Sequence, residues 1–349
     1  MNTFGTNFRL TTFGASHDAI IGGVIDGCPV GLSVDVDYVA AEMQRRHPGA
    51  STLTSARQEP DGVEWISGLA DGLTTGEPLV FIIRNTDVRS TDYDELRHLF
   101  RPGHADYTYF LKYGCVPIGG GRASARETAV RVAAGAIAKL LLNKSQVHIA
   151  AYLSQVGAVT DSRSYTFEEI AAATHHLFPT PDMATAKAMQ SEIRAARTEG
   201  DSVGGVVSCV VAGLPAGVGN PIFNKLQARL AGAMLSIPAA KGFDYGSGFA
   251  AAAMHGSQNN DAFMLENGHV VTATNHAGGI LGGISTGAEV RFRVAFKPTP
   301  SIKREQRTVT DTLQPITLSV CGRHDACVAV RAVPVVEAMA ALVLADFIV

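Results

Sequence analysis

The stretch from Arg101 to Gly135 constrains this chain more than any other. A glycine triplet, Gly119-Gly120-Gly121, runs into Arg122-Ala123-Ser124-Ala125-Arg126-Glu127. From Ala129 to Leu142 the chain is then apolar apart from Arg131, Gly135 and Lys139. Ser124 followed three residues later by Glu127 is a capping-box pattern, which predicts a helix start. The apolar run predicts that this helix is mostly buried. A glycine-rich loop ending at a helix N-terminus gathers free backbone N–H groups at the positive end of the dipole. Such loops occur in many folds, but Arg122 and Arg126 add two charges that nothing structural demands. The expectation is an anion site suited to a phosphate.

Bulk properties narrow the alternatives. The chain has 349 residues, 46% hydrophobic and 17% charged, with 36 glycines, so it reads as globular and rich in turns. A net charge of −3 and a pI near 6.4 give no reason to expect nucleic acid or an anionic membrane as partner. Anion binding must come from local clusters. The five cysteines are odd in number and form no CxxC pair, which fits a reducing compartment. Cys321 and Cys327 flank His324, but the spacing does not suit a zinc ribbon, and no metal is expected. The N-terminus lacks signal-peptide character. The apolar tail from Pro334 carries Glu337 and Asp346, so it reads as a buried helix rather than a membrane span. A soluble cytoplasmic protein is expected.

Strands and helices mix without regular βα alternation, which predicts one α+β domain over residues 1–349. Strands are expected at 8–13, 24–25, 32–34, 63–66, 79–84, 147–153 and 206–211, and within 246–254 and 270–274. Residues 288–296 alternate cleanly, with Val290, Phe292, Val294 and Phe296 on one face. Helices are expected from an Asp37 cap to Arg46, over 181–198, from an Asn220-Pro221 cap to Leu235, and after Pro334.

Four further loop clusters hold reactive side chains. They are Ser16-His17; Arg45-Arg46-His47 with Arg57; Asn275 to Gly283 followed by Lys297 to Ser301; and Cys321 to Cys327 with Arg331. Each has a plain structural explanation: a turn histidine, glycines for close packing, an Arg323–Asp325 ion pair. No GxGxxG lies between a strand and a helix, so a dinucleotide fold is not expected.

Together these segments carry a resemblance that spans essentially the whole chain. The carriers are TTFGxSH at 11–17, RNTDxRSxDY at 84–93, FRPGHADYTY at 100–109 and GGGRxSARETAxRVAAGAIAK at 119–139. GDSxGGVV at 200–207, NHAGGILGGIS at 275–285, FKPTPSI at 296–302 and GRHDxCVxxRAVPVVEAMAALVLAD at 322–346 follow in order. The chain resembles the chorismate synthases. That resemblance implies an α+β sandwich of helices and mainly antiparallel sheets, assembled as a homotetramer. It implies a 1,4-elimination of phosphate from 5-enolpyruvylshikimate-3-phosphate, giving chorismate and requiring reduced FMN without net redox change. His17 then matches the proton donor to the leaving phosphate. His104 matches the histidine that steadies reduced flavin, and Asp325 the carboxylate that works with the flavin in removing the ring proton. Ser16 and Ser124 match hydroxyls that tune these transfers. Flavin contacts carry over to Arg122, Ala123, Ser124, Pro238, Ala239, Gly282, Lys297, Pro298, Thr299, Pro300, Ser301 and Arg323. Substrate contacts carry over to Ser16, Arg46, Arg57 and Arg126.

The charge requirement agrees, since a phosphorylated dicarboxylate and a flavin phosphate both need arginines. The chain also departs from the family pattern at Ala15, Asp18, His47, Thr52, Pro238, Ala326 and a shortened 115–118 segment. Asp18 beside His17 should favour the imidazolium but repel a phosphate. Those departures leave a flavin-binding relative with impaired turnover as the alternative, and an NADPH-dependent flavin reductase as a weaker one.

Overall fold

The computed structural model describes residues 1–47, 59–87, 95–320 and 324–349. Alternating apolar positions build a first sheet from the N-terminal part of the chain. Its elements run β1 (Thr3–Phe4), β2 (Arg9–Phe13), β3 (Ile20–Asp26), helix α1 (Val36–Arg46), β4 (Val63–Ser67), the small hairpin β5 (Leu69–Ala70) and β6 (Leu73–Thr74), and β7 (Leu79–Arg84). The strand order is β1-β2-β3-β7-β4, with every neighbour antiparallel. On β7, Leu79, Phe81 and Ile83 point inward and are fully buried, as a period of two requires.

The middle of the chain supplies α2 (Asp106–Tyr113), two 3₁₀ turns (Ile118–Ala123 and Ala125–Glu127), α3 (Thr128–Asn143), β8 (His148–Val156) and β9 (Val159–Thr160). Then come α4 (Phe167–Ala173), α5 (Met183–Thr198), β10 (Gly205–Ala212), α6 (Leu226–Leu235) and β11 (Ala240–Tyr245). The last part holds α7 (Gly256–Asn259), the hairpins β12 (Phe263–Glu266) with β13 (His269–Thr272) and β14 (Ile280–Leu281) with β15 (Ile284–Ser285), and β16 (Val290–Phe296). A hairpin of β17 (Gln306–Val309) and β18 (Pro315–Leu318) precedes the closing helix α8 (Ala329–Ile348). The second sheet has the order β11-β16-β10-β8-β9, again antiparallel throughout.

A helical layer of α3 and α8 lies between the sheets: α3 meets β3, α8 meets β8 and β10, and α1 touches both helices. The two central helices approach closely at Gly135. A Cβ there would sit 2.3 Å from the Cβ of Ala338, so only glycine admits this packing. Charge is also buried here. Glu337 on α8 accepts from both Nη atoms of Arg45, from Lys139 Nζ and from the Ala151 N–H. An unpaired carboxylate could not be buried so completely.

Several expected elements differ. The α1 cap is Asp35, whose carboxylate accepts the Tyr38 N–H at 3.0 Å, and Asp37 lies in the first turn. Ser124 caps only a 3₁₀ turn, and Glu127 turns to Thr12 and Arg131 instead of back to the cap, so no capping box forms. An i,i+4 ion pair with Arg131 and a tertiary hydrogen bond from Thr12 together outcompete the bond back to the cap. Residues 32–34 make a single bridge rather than a strand. The helix expected from Asn220 begins at Leu226, because Asn220 bridges to Asn224. The 246–254 segment is mostly a 3₁₀ turn, with the strand lying before it. The last helix starts at Ala329 and passes through Pro334. Tertiary burial along its length overrides the local penalty of a proline.

Candidate active site

Six connections converge beside the helical layer on one cleft of about 700 Å³. They are the β2–β3 loop, the 101–106 loop, the two 3₁₀ turns, the α6–β11 link, the 297–301 segment and the residues leading into α8. Among the described residues, six arginines and two lysines line it against three carboxylates. A chain of net charge −3 has thus concentrated its positive charge at one place.

His17 stands on the β2–β3 loop, and its ring lies against Gly119 of the glycine triplet. A Cβ at Gly119 would fall 2.0 Å from its Cε1, and Gly119 has φ of +56°. Ser16 is 1% exposed behind it, so it supports the histidine rather than lining the cleft. The Ser16 hydroxyl donates to the Gly119 carbonyl at 3.2 Å and lies 2.9 Å from His17 Nδ1. Its one hydrogen being used, it accepts from Nδ1–H, which leaves proton exchange with a ligand to Nε2. Asp18 turns its carboxylate back onto the Ala15 N–H at 2.7 Å.

His104 is fixed at both nitrogens. Nδ1 lies 3.1 Å from the Pro102 carbonyl, which can only accept, so Nδ1 carries the hydrogen. Nε2 lies 2.8 Å from Ser301 Oγ. Burial, followed by the charge of Arg101, lowers its pKa to about 4, and the imidazole is neutral near pH 7. His324, which sequence reasoning left without a role, lines the same cleft and is lowered by burial and then Arg101. Asp325 is 9% exposed and accepts from Arg331 Nη1 at 2.7 Å.

The arginines are set by a shared carboxylate. Asp61 accepts from Arg46 Nη1 at 2.8 Å on one oxygen and from Arg126 Nη1 on the other. Burial, then Arg331, lowers Arg46 to about 9, since Asp61 does not offset the crowd of positive charge. Arg46 also donates to Thr128 and to the Ala125 carbonyl. Arg126 donates to Asn85 and the Arg84 carbonyl. Arg122 donates to Gly14 and Thr12. Each guanidinium therefore spends some of its five N–H groups on the protein while its residue lines the cleft.

The remaining assigned positions divide. Ala123, Ser124, Pro238, Ala239, Thr299, Pro300 and Ser301 line the cleft. Lys297 does too, with Nζ donating to the Gly103 carbonyl; burial, then Lys241, lowers its pKa. Gly282 does not: it is an exposed residue in the turn of the β14–β15 hairpin, because the tight reversal needs its φ of +61°. Pro298 is also absent from the lining and packs instead on Gly204. Gly278 and Gly279 serve close packing, as a Cβ at either would lie within 2.5 Å of neighbouring backbone. Arg57, Arg323 and Thr52 lie outside the described residues. Sequence reasoning missed Asp61, Arg101, Arg131 and Lys241. A lone carboxylate or cation carries no pattern, whether in a loop like Asp61 and Arg101, in α3 like Arg131 or in β11 like Lys241, so no local signal marked them.

The residues present fit a flavin mononucleotide. The cleft has the volume of a small-molecule site. The buried hydroxyl of Thr299 lacks a hydrogen-bond partner among the described residues while lining it. Unsatisfied buried hydroxyls are rare unless a ligand completes them. The cationic lining suits a phosphate.

Comparison with known proteins agrees with this geometry. The chorismate synthase family model matches residues 8–349. A chorismate synthase of Porphyromonas gingivalis is 54% identical, over 99% of this chain and 95% of that protein. One from Azobacteroides pseudotrichonymphae is 50% identical over 99% of both. A crystal structure of chorismate synthase superimposes with a TM-score of 0.77 at 27% identity, covering 99% of this chain and 92% of that one. With its motifs, fold and cleft all matched along nearly the full length, the chain belongs to the chorismate synthase family.

Proposed function

We propose that this cleft is where the enzyme eliminates phosphate from 5-enolpyruvylshikimate-3-phosphate to give chorismate, with His17, His104 and Asp325 handling protons. The observation that carries the proposal is the convergence of these three side chains on one cationic cleft from loops 17, 104 and 325 of the chain. Arg46, Arg126 and Arg331 hold the substrate's phosphate and carboxylates by charge-assisted hydrogen bonds. His17, oriented by Ser16, gives a proton from Nε2 to the departing phosphate. Asp325, held by Arg331, works with the flavin in removing the ring proton. Lys297, Thr299 and Ser301, with Arg122 and the Pro238-Ala239 backbone, hold the flavin. Reduced FMN, when bound, supplies the electron density that weakens the carbon–oxygen bond, with no net redox change. His104 presents a neutral ring against it, and an anionic ligand nearby would raise its proton affinity.

A homotetramer in the cytoplasm completes the proposal. Cys28, Cys115, Cys209 and Cys327 are free thiols, and no helix among the described residues is long and apolar enough to cross a membrane. The test is anaerobic mixing with chemically reduced FMN and 5-enolpyruvylshikimate-3-phosphate, following chorismate absorbance and phosphate together. Stoichiometric release of both is expected. Flavin binding without product would instead mark a relative that has lost turnover. Full activity in His17→Ala, His104→Ala and Asp325→Ala would overturn the assigned roles.

A further inference from the structure

Asn85, the first residue after β7, has no role in the chemistry described above, yet it joins two halves of the site. Its Oδ1 accepts the Nε–H of Arg126 at 2.7 Å. Its Nδ2 donates to the carbonyls of Asp18 at 2.7 Å and Ala15 at 3.2 Å. The orientation of the amide is forced, because a guanidinium only donates and a carbonyl only accepts. The Asn85 N–H also bonds the Ala19 carbonyl at 3.0 Å. One planar group therefore grips Arg126 on one edge and, on the other, the loop on both sides of Ser16-His17.

Further support for that loop comes from the opposite side. Arg122 donates to the Gly14 carbonyl at 3.0 Å, and the Ser16 N–H reaches the Gly121 carbonyl at 3.4 Å, near the limit of a hydrogen bond. Arg126 is in turn held by Asp61, which also holds Arg46. A continuous path of hydrogen bonds thus runs from the paired arginines through Asn85 to the histidine loop.

We propose that Asn85 is a positioning residue that holds His17 at a fixed spacing from Arg126. The guanidinium that grips the anionic substrate then also sets the distance of the proton donor from the departing phosphate. The inference rests on the reading in which His17 protonates that phosphate. Placing a reacting group matters because displacement by about 1 Å can cost on the order of a hundredfold in rate.

Asn85→Asp separates the two functions of the amide. It keeps an oxygen for Arg126 but turns a second oxygen, without a hydrogen, toward two carbonyls. Asp61→Asn attacks the arginine side alone. In steady-state assays with reduced FMN, Asn85→Asp is expected to lower kcat about tenfold or more, with KM changed by less than about threefold. Asp61→Asn is expected to act mainly on KM. A merely structural role would give the same pattern for both. Asn85→Ser, which is uncharged and too short to reach either side, is the second variant. It should lower kcat by a similar factor and move the His17 titration followed by NMR. Wild-type kcat in Asn85→Ser, or identical kcat and KM patterns in Asn85→Asp and Asp61→Asn, would overturn the inference. His17→Ala is run alongside. Full turnover there would sink the role of His17 itself, whereas an inactive His17→Ala beside fully active Asn85 variants would sink only the positioning role.

Discussion

Arg331 donates from Nη1 to the Asp325 carboxylate at 2.7 Å and from Nε to the Arg46 carbonyl at 3.1 Å. One side chain on the first turn of α8 thereby fixes a candidate base and the end of α1. Asp325 is 9% exposed, and the Arg331 hydrogen bond orients its carboxylate in the cleft. Arg331→Ala is expected to lower kcat roughly ten- to hundredfold, the equivalent of about 1.5–3 kcal/mol for a lost charged hydrogen bond. Turnover with reduced FMN checks it, and kcat within about twofold of the parent would show that Asp325 needs no such support.

The His17 ring occupies the space that a Cβ at Gly119 would take. Gly119→Ala therefore displaces the imidazole and strains a φ of +56°, at about 1–2 kcal/mol of stability. The expected loss in kcat is far larger, on the order of a hundredfold, since the proton donor moves. Comparing kcat with the thermal midpoint separates the two effects. Equal activity with a lowered midpoint would argue against His17 as the donor.

Glu337 is the fully buried carboxylate of the core, held by Arg45 and Lys139. Burial alone would raise its pKa, but the two cations outweigh that and hold it well below the usual carboxylate range. A depressed carboxylate contributes stability that is complete above the unfolded pKa of about 4.3 and fades as pH falls below it. Glu337→Gln leaves Lys139 and Arg45 short of a counter-charge, and should cost about 3–5 kcal/mol near neutral pH. Urea unfolding across acid and neutral pH would show a flatter acid limb in the variant. A parallel shift of the whole curve would contradict the assignment.

His104 carries the opposite charge logic with the same direction in pH. Its folded pKa of about 4, lowered by burial and then Arg101, lies below the unfolded value of about 6.5. Between these values the unfolded chain binds more protons, so stability rises with pH through that window and falls on acidification. The group accounts for a loss of about 2 kcal/mol on going from about pH 7.5 to about pH 5. His104→Gln should remove that part of the pH dependence. An identical pH dependence in parent and variant would mean that His104 is not desolvated in solution.

Much of this was visible in the sequence because the signals were local. The 290–296 alternation became β16 with Val290, Phe292, Val294 and Phe296 buried. The apolar 129–142 run became a helix with hardly an exposed face. The motif carriers brought His17, His104, Arg122 and Asp325 to one cleft. The misplaced features were those settled by competition between local and distant partners. Glu127 fits a capping box in sequence but binds Thr12 and Arg131 in space. Asp61, which no sequence pattern marked, is the counter-ion shared by Arg46 and Arg126.

The sequence by itself determined the strongly periodic elements and which loops carry reactive side chains, since periodicity and motif spacing are properties of neighbouring residues. Only the tertiary structure decided what those side chains face. It joined Arg46 to Arg126 through Asp61 and set Asn85 between Arg126 and the histidine loop. It also left Gly282 on an exposed turn away from the cleft. The physical reason is that hydrogen bonds and desolvation depend on distances of a few ångströms between residues far apart in the chain, and packing of α3 and α8 between the two sheets sets those distances.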